Sequence, residues 1–153
     1  MKGKNQMRIA IGSDHRGYLL KEKVAALLTS AGHEVINAGT NGQDRVDYPD
    51  FASVVAKQVS EGTTERGILV CGTGIGMAIT ANKFSGIRAA SCTDEVAAEI
   101  SRRHNDLNIL CLAGDMLSIR QAERIVHVWL NTEFEGGRHE RRNDKISQIE
   151  KSV

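Results

Sequence analysis

Short apolar runs alternate with longer amphipathic segments along the chain. The runs that predict strands are Arg8–Gly12, Glu34–Asn37, Ile68–Cys71, Ile87–Cys92 and Asn108–Leu112. Each is followed by a segment in which apolar side chains recur at helical spacing. Strands that alternate with helices are typical of parallel βαβ units. The pattern therefore predicts an α/β fold: a three-layer α/β/α, Rossmann-like domain with a five-stranded parallel sheet.

Residues typical of helix ends mark the boundaries of the helices, but no pattern divides the chain into separate domains. Pro49 stands in the first turn of a helix that begins at Tyr48, and Ser118 precedes another helix. Residues 136–153 are predicted to form a basic segment and a terminal helix, and residues 1–7 a polar, frayed leader. No linker-like composition separates these parts. We therefore expect one domain over residues 1–153.

The third predicted strand ends on three glycines at alternate positions, Gly72, Gly74 and Gly76. A helix is predicted to follow from Met77 towards residue 84. A strand, a glycine turn and a helix N-terminus together expose backbone N–H groups that bind anions. Cys71 is the last residue of that strand, and nearby amide N–H groups favour a thiolate. The sequence therefore indicates an anion site with a reactive thiol beside it.

Plainer interpretations of this segment remain open. The glycines could make an ordinary tight turn, and Cys71 could be a core cysteine, as we expect for Cys92 and Cys111. A dinucleotide fingerprint is excluded, because Met77 stands where its third glycine belongs and the motif follows the wrong strand. A Walker loop is excluded as well, because no Gly-Lys-Ser/Thr sequence follows.

Other polar residues follow the predicted strands. Asp14 and His15 come after the first strand, and Thr93 and Asp94 come after the fourth. In a parallel sheet the carboxyl ends of strands lie at one edge, where ligands bind. These positions therefore predict a shared site with Cys71, although Asp14 could equally cap the first helix.

Basic residues near the end of the chain suggest a phosphate contact. Arg138 and Arg142 are spaced i and i+4 on a predicted helix and form a basic patch with Arg141. Forked guanidinium groups suit a phosphate monoester. The plain alternative is a surface pair, just as His104 could lie at a solvated helix end.

Charge and composition narrow the classes of partner. The chain has 20 Lys+Arg and 19 Asp+Glu, a net charge of +1, whereas nucleic-acid-binding domains are usually strongly basic. No apolar run approaches the roughly 18 residues of a membrane span. Three cysteines without metal-ligand spacing predict no metal site and fit the reducing cytoplasm. We therefore expect no nucleic-acid or membrane partner.

The motifs together resemble the ribose-5-phosphate isomerase type B family, which includes galactose-6-phosphate isomerase subunits and allose-6-phosphate isomerases. The matching motifs are Ser13–Gly17, Asp47–Pro49, Cys71–Gly76, Ala81–Lys83, Gly86–Arg88, Arg103–Asn105 and Gly136–His139. They extend over nearly the whole chain in the expected order.

The resemblance implies an aldose–ketose isomerase that needs no cofactor. It implies interconversion of ribose 5-phosphate and ribulose 5-phosphate through an enediolate, with allose or galactose 6-phosphate as the alternative substrate. Cys71 would be the catalytic base, Thr73 would assist proton transfer and His104 would open the sugar ring. The residues implied to bind substrate are Asp14, His15, Tyr48, Gly72, Gly74, Ile75, Gly76, Asn105, Arg138 and Arg142. Family members are dimers or tetramers with sites built from two chains, so a homodimer is expected.

One position departs from the family pattern. Many members carry a phosphate-binding arginine in the turn after the fifth strand, but here the turn contains Asp115. Two anions a few ångströms apart repel by about 1 to 4 kcal/mol, depending on the local dielectric. Either Asp115 points away from the substrate or the substrate is held differently. The departure leaves the identity of the sugar more open than the type of reaction.

Two rival classes of function account for the sequence less well. A non-catalytic α/β module could sense a nucleotide or sugar phosphate through the same glycine turn, but Cys71, His104 and Asp14 would then be surplus. A nicotinamide-dependent redox enzyme is disfavoured, because Met77 breaks the dinucleotide fingerprint. An isomerase accounts for more of the residues than either rival.

Overall fold

The computed structural model describes residues 5–153 and contains one parallel sheet. Its strands are β1 (Arg8–Ser13), β2 (Glu34–Asn37), β3 (Arg66–Cys71), β4 (Ala89–Ser91) and β5 (Ile109–Ala113). The helices are α1 (Tyr18–Ser30), α2 (Tyr48–Ser60), α3 (Ile75–Ala81), α4 (Glu95–Asn105), α5 (Ile119–Leu130) and α6 (Arg138–Lys151). The strand order is β2-β1-β3-β5-β4, and all described pairings are parallel.

Helices cover both faces of the sheet and enclose two apolar clusters. Residues from α1, α4 and α5 pack on one face around Trp129, which is fully buried. Residues from α2 and α3 pack on the other face, where Val55 and Met77 are fully buried. The prediction of a three-layer α/β/α domain is confirmed. Its central strands β3 and β5 read as continuous apolar runs because both of their faces are covered.

The strand order creates a switch point at the centre of the sheet. After β1 the chain adds β2 on one side and then returns to add β3 on the other side. The carboxyl ends of β1 and β3 therefore diverge into loops that leave a crevice between them. Asp14 follows β1 and Cys71 ends β3, so both lie at this crevice.

Two elements differ in extent from their sequence predictions. Helix α3 begins earlier and ends earlier than predicted, at Ile75 and Ala81, because Gly74 turns the chain directly into the helix with φ of 76°. Strand β4 is shorter than predicted, and at its start side chains supply hydrogen-bond partners. The Arg88 amide donates to Asn108 Oδ1 at 2.8 Å, and Asn82 bonds the N–H and C=O groups of Ala89.

Met7, the last residue of the predicted leader, contacts the folded domain. Residues 1–4 lie outside the described residues, but Met7 is held rather than frayed. Its amide donates to His33 Nδ1 at 3.1 Å, its carbonyl accepts from the Glu34 amide, and its side chain packs against the core. Among the described residues, no helix combines the length and the apolar character needed to cross a bilayer.

Substitution of Trp129 tests how much the larger apolar cluster contributes to stability. Its ring is fully buried, and the guanidinium of Arg66 lies 5.1 Å from the ring centroid. We expect Trp129→Ala to lower the free energy of unfolding by about 3 to 5 kcal/mol, because it removes a large side chain from a packed core. Urea denaturation followed by circular dichroism measures this change. Val96→Ala, at an exposed position of α4, is the control and should change it by less than about 0.5 kcal/mol.

Candidate active site

The Cys71 thiol is fixed at the floor of a cleft. Cys71 pairs with Ala113 of β5, and its Sγ accepts a hydrogen bond from the Gly74 amide at 3.1 Å. The residue is only 4% exposed, yet it lines a cleft of about 560 Å³. The other lining residues are Asp14, Arg16, Tyr48, Gly72, Thr73, Ile75, Gly76, Ile79 and Asp115. Cys71 is therefore buried without being cut off from the surface.

The three glycines of the turn meet three different neighbours. Gly74 has a left-handed φ of 76°, and a Cβ there would lie 2.6 Å from Ser91 Oγ. A Cβ on Gly76 would lie 2.5 Å from the ring of Tyr48, and one on Gly72 would lie 2.7 Å from a carboxylate oxygen of Asp115. The absence of side chains lets these neighbours close around the turn. A plain tight turn would not require all three glycines.

Backbone amides of the turn point to an anion site. The Ile75 amide donates to Thr73 Oγ1 at 3.2 Å, and the Gly74 amide is used by the thiol. The amides of Thr73 and Gly76 donate to no protein acceptor within residues 5–153. Free amides beside a thiolate can stabilise the oxyanion that develops on a carbonyl oxygen when the thiolate removes a proton from the adjacent carbon.

Asp14 and His15 have defined local roles. Asp14 Oδ1 accepts from the amides of Arg16 and Gly17, each at 3.0 Å, and so shapes the loop after β1. It does not cap α1, whose N-cap is Gly17 without a side-chain bond. His15 is half-buried, accepts the Val46 amide on Nδ1 at 3.3 Å and lines an adjoining groove. Asp14 thus belongs to the cleft, and His15 lies next to it.

Asp115 does not point away from the cleft. Its Oδ2 accepts from Arg16 Nε at 2.7 Å, and both side chains line the cleft with Cys71. The sequence identified Asp115 as a departure from the family pattern, but it gave Arg16 no role. The only signal for Arg16 was its place within the motif after β1.

The remaining expected site residues lie at the other end of the molecule. His104 and Asn105 end α4, four to five residues before Ile109, at the amino end of β5. Cys71 pairs with Ala113, at the carboxyl end of the same strand. A strand of this length separates its two ends by roughly 13 Å, at about 3.3 Å per residue. One chain therefore does not bring these two groups of residues together.

Arg138 and Arg142 belong to the same distal group. Both are exposed on the first turns of α6, which packs against α4. His139, between them, stacks on the ring of His104 with centroids 4.1 Å apart. Burial lowers the pKa of His139, and the nearby His104 and Arg138 lower it further, so its ring is neutral near pH 7. The sequence placed His139 in a motif without a role.

His104, Glu135 and His139 bring three metal-ligating groups close together. The two imidazole planes are within 9° of parallel, so their in-plane lone pairs do not converge on a point between them. Glu135 is bonded to Arg103 through Oε1 at 2.8 Å, which holds the pKa of its carboxyl below the usual range. As arranged, the group is a stacked histidine pair beside an ion pair.

The chain matches a known protein family over most of its length. Residues 9–146 match the model of the Ribose/Galactose Isomerase family. The chain belongs to this family. It is 46% identical over 143 residues to ribose-5-phosphate isomerase B of Escherichia coli, covering 94% of this chain and 96% of that protein.

Solved structures of relatives have the same fold. Ribose-5-phosphate isomerase B of Clostridium thermocellum matches with a TM-score of 0.94 and 52% identity, over 95% of this chain and 99% of that one. The Mycoplasma genitalium enzyme, solved with bound ribulose-5-phosphate, matches with a TM-score of 0.92 and 40% identity, over 95% of this chain and 97% of that one. Family membership and the cleft geometry therefore point to the same chemistry.

Thiol reactivity tests the special position of Cys71. All three cysteines are free, but Cys92 and Cys111 do not line the cleft. Burial raises the pKa of Cys92 and raises that of Cys111 well above its ordinary value. At pH 8 the fraction of each that is thiolate is therefore smaller than for an unperturbed cysteine. We expect iodoacetamide to modify Cys71 at least about tenfold faster than the other two. Peptide mass spectrometry over time measures the three rates, and equal rates would contradict this assignment.

Proposed function

We propose that this protein interconverts ribose 5-phosphate and ribulose 5-phosphate. The observation that carries the proposal is the Cys71 thiol, held by the Gly74 amide in a cleft lined with free amides. Membership of the Ribose/Galactose Isomerase family and the ribulose-5-phosphate bound to the Mycoplasma genitalium relative support it. Residues 1–153 would act as one isomerase domain.

Cys71 would act as the base. Its thiolate removes the proton from C2 of the open-chain aldose, and the electrons move to form the enediolate with negative charge on O1. The free amides of Thr73 and Gly76 stabilise that charge. The thiol then returns the proton to C1, while the Thr73 hydroxyl assists proton transfer between O1 and O2. Because hydrogen moves only between atoms of the same sugar, the atoms and electrons of the reaction balance without an external oxidant or cofactor.

A second copy of the chain would complete the site. The cleft contains Cys71, Thr73, Asp14 and Tyr48, whereas His104 and the arginines of α6 lie at the other end of the strands. In a homodimer, the partner subunit's His104 would open the sugar ring. The partner subunit's Asn105 would line the pocket, and the partner subunit's Arg138 and Arg142 would bind the phosphate together with His15. Isologous twofold pairing would then produce two equivalent composite sites.

Exposed apolar residues beside the cleft support such a contact. Helices α2 and α3 pack together, and Val54, Ile75 and Ile79 remain exposed on them, with Ile75 and Ile79 at the cleft itself. Apolar groups that remain exposed around a cleft fit a protein interface better than open solvent. A tetramer would need a further surface of this kind.

The alternatives concern the sugar phosphate that is converted and whether the protein is an enzyme or a sensor. Allose or galactose 6-phosphate would use the same base and amides, and comparing turnover of the three sugar phosphates separates them. A sensor of sugar phosphate or nucleotide would bind without exchanging protons. A cytoplasmic location would suit the protein, because three free, buried cysteines fit a reducing compartment.

Substitution of Cys71 tests the chemical step. We expect Cys71→Ala to lower kcat to less than about a tenth of its original value, at least 1.4 kcal/mol of barrier, while ribose 5-phosphate still binds. Cys92→Ala, away from the cleft, is the matched control. In heavy water the unmodified protein should place deuterium at C2 of ribose 5-phosphate. A Cys71→Ala enzyme with most of its activity, or a chain that exchanges no deuterium, would refute the proposal.

Mixed dimers test the shared site. We expect Cys71→Ala and His104→Ala homodimers to be nearly inactive when assayed separately. Chains that are unfolded, mixed in equal amounts and refolded together should regain roughly a quarter of the original activity, because half of the dimers then have one intact site of two. Mixing Cys71→Ala chains with Thr73→Ala chains is the control, since both lesions lie in the same cleft. Recovery in the control, or none in the test mixture, would contradict a site shared in this way.

A further inference from the structure

Arg16 and Asp115 form an ion pair inside the cleft, next to Cys71. Nε of Arg16 lies 2.7 Å from Asp115 Oδ2, and a terminal guanidinium nitrogen lies 2.5 Å from the same oxygen. Gly72, which follows Cys71, leaves the space for this pair. A Cβ on Gly72 would lie 2.7 Å from Asp115 Oδ2 and 3.2 Å from Arg16 Nε. The pair therefore lies directly on the glycine turn.

Both partners are held by the loops that form the cleft. The Arg16 amide donates to Asp14 Oδ1 at 3.0 Å, and the Asp115 amide donates to the Gly72 carbonyl at 3.0 Å. The side chains are nevertheless 60% and 38% exposed. Ion pairs with this exposure contribute little to folding stability. A role in ligand binding accounts for the position of the pair better than a role in holding the fold.

The charges in the cleft define the kind of ligand. A phosphate monoester carries close to two negative charges at neutral pH, and Asp115 without a partner would repel it. The carboxylate of Asp14, also in the cleft, is already engaged by backbone amides. Arg16 therefore supplies the only cationic side chain among the residues that line the described cleft.

The guanidinium of Arg16 has donors to spare. It carries five N–H groups in a planar fork, and Asp115 occupies the edge formed by Nε and one terminal nitrogen. The N–H groups of the other terminal nitrogen remain available for phosphate oxygens. Hydrogen bonding to Asp115 and its negative charge raise the pKa of Arg16, so the group stays charged throughout the neutral range.

We propose that Arg16 binds the phosphate group of the substrate, and that Asp115 competes with the phosphate for this guanidinium and so limits affinity. The inference rests on the proposed function and adds a phosphate contact from the chain that supplies Cys71. It predicts that substitutions of the two partners act in opposite directions. Loss of Arg16 leaves a bare carboxylate beside the phosphate, whereas neutralisation of Asp115 frees the guanidinium.

Isothermal titration of the full chain with inorganic phosphate, with KM measurements for ribose 5-phosphate, tests this proposal. We expect Arg16→Ala to weaken phosphate binding and raise KM by about tenfold or more, with kcat changed by less than about threefold. Asp115→Asn should strengthen phosphate binding and lower KM by about threefold, and the double variant should lie between the two. Arg124→Ala is the matched control, from the exposed pair of Arg124 with Glu95, and should change neither value.

Two outcomes would overturn the role of Arg16. Equal weakening by Arg16→Ala and Asp115→Asn would mean that the pair only shapes the loops, and no change with either would mean that it is a surface ion pair. Both results are compatible with an active isomerase, so they leave the proposed function intact. Conversely, opposite shifts in phosphate affinity in a chain that exchanges no deuterium would contradict the isomerase proposal and leave the assignment of Arg16 standing.

Discussion

The hydrogen bond from the Gly74 amide to the Cys71 sulfur is the contact on which the proposed chemistry depends. It exists because Gly74 adopts a left-handed conformation that turns the chain back over the end of β3. Ser91 and the backbone of Leu112 lie so close that this position accepts no Cβ. Contacts with β4 and β5 therefore fix the conformation of the turn, and the turn fixes the position of the thiol. Because these contacts are already formed, the thiol needs no rearrangement to face the cleft.

The parallel sheet separates the two groups of residues that the proposed site would combine. Helices that follow parallel strands run back towards the amino ends of the strands, so residues at their C-termini lie far from the cleft. His104 is such a residue, and α6 packs beside it. A fold of this kind can use both of its ends in one reaction only through association of two copies. The topology therefore supports the proposed homodimer.

Much of the fold could be predicted from sequence because it depends on local patterns. Apolar runs that alternate with helical segments predicted the sheet, and the glycine spacing predicted the position of the turn beside Cys71. The length of β4 could not be predicted, because it depends on the side chains of Asn82 and Asn108. Contacts between distant loops were equally hidden. Arg16 and Asp115 are 99 residues apart, and only the folded sheet brings them to one cleft.

The ion pair of Arg16 and Asp115 also constrains how the sequence can change through evolution. Replacement of Arg16 alone leaves the Asp115 carboxylate without its partner beside Gly72, whereas replacement of Asp115 alone leaves the guanidinium free for an anion. The two positions are therefore not equivalent: Asp115 can change while Arg16 is kept, but loss of Arg16 leaves an unpaired carboxylate in the cleft. Among descendants of this chain, a lineage that loses Arg16 should also lose Asp115, whereas a lineage that loses Asp115 first can retain Arg16.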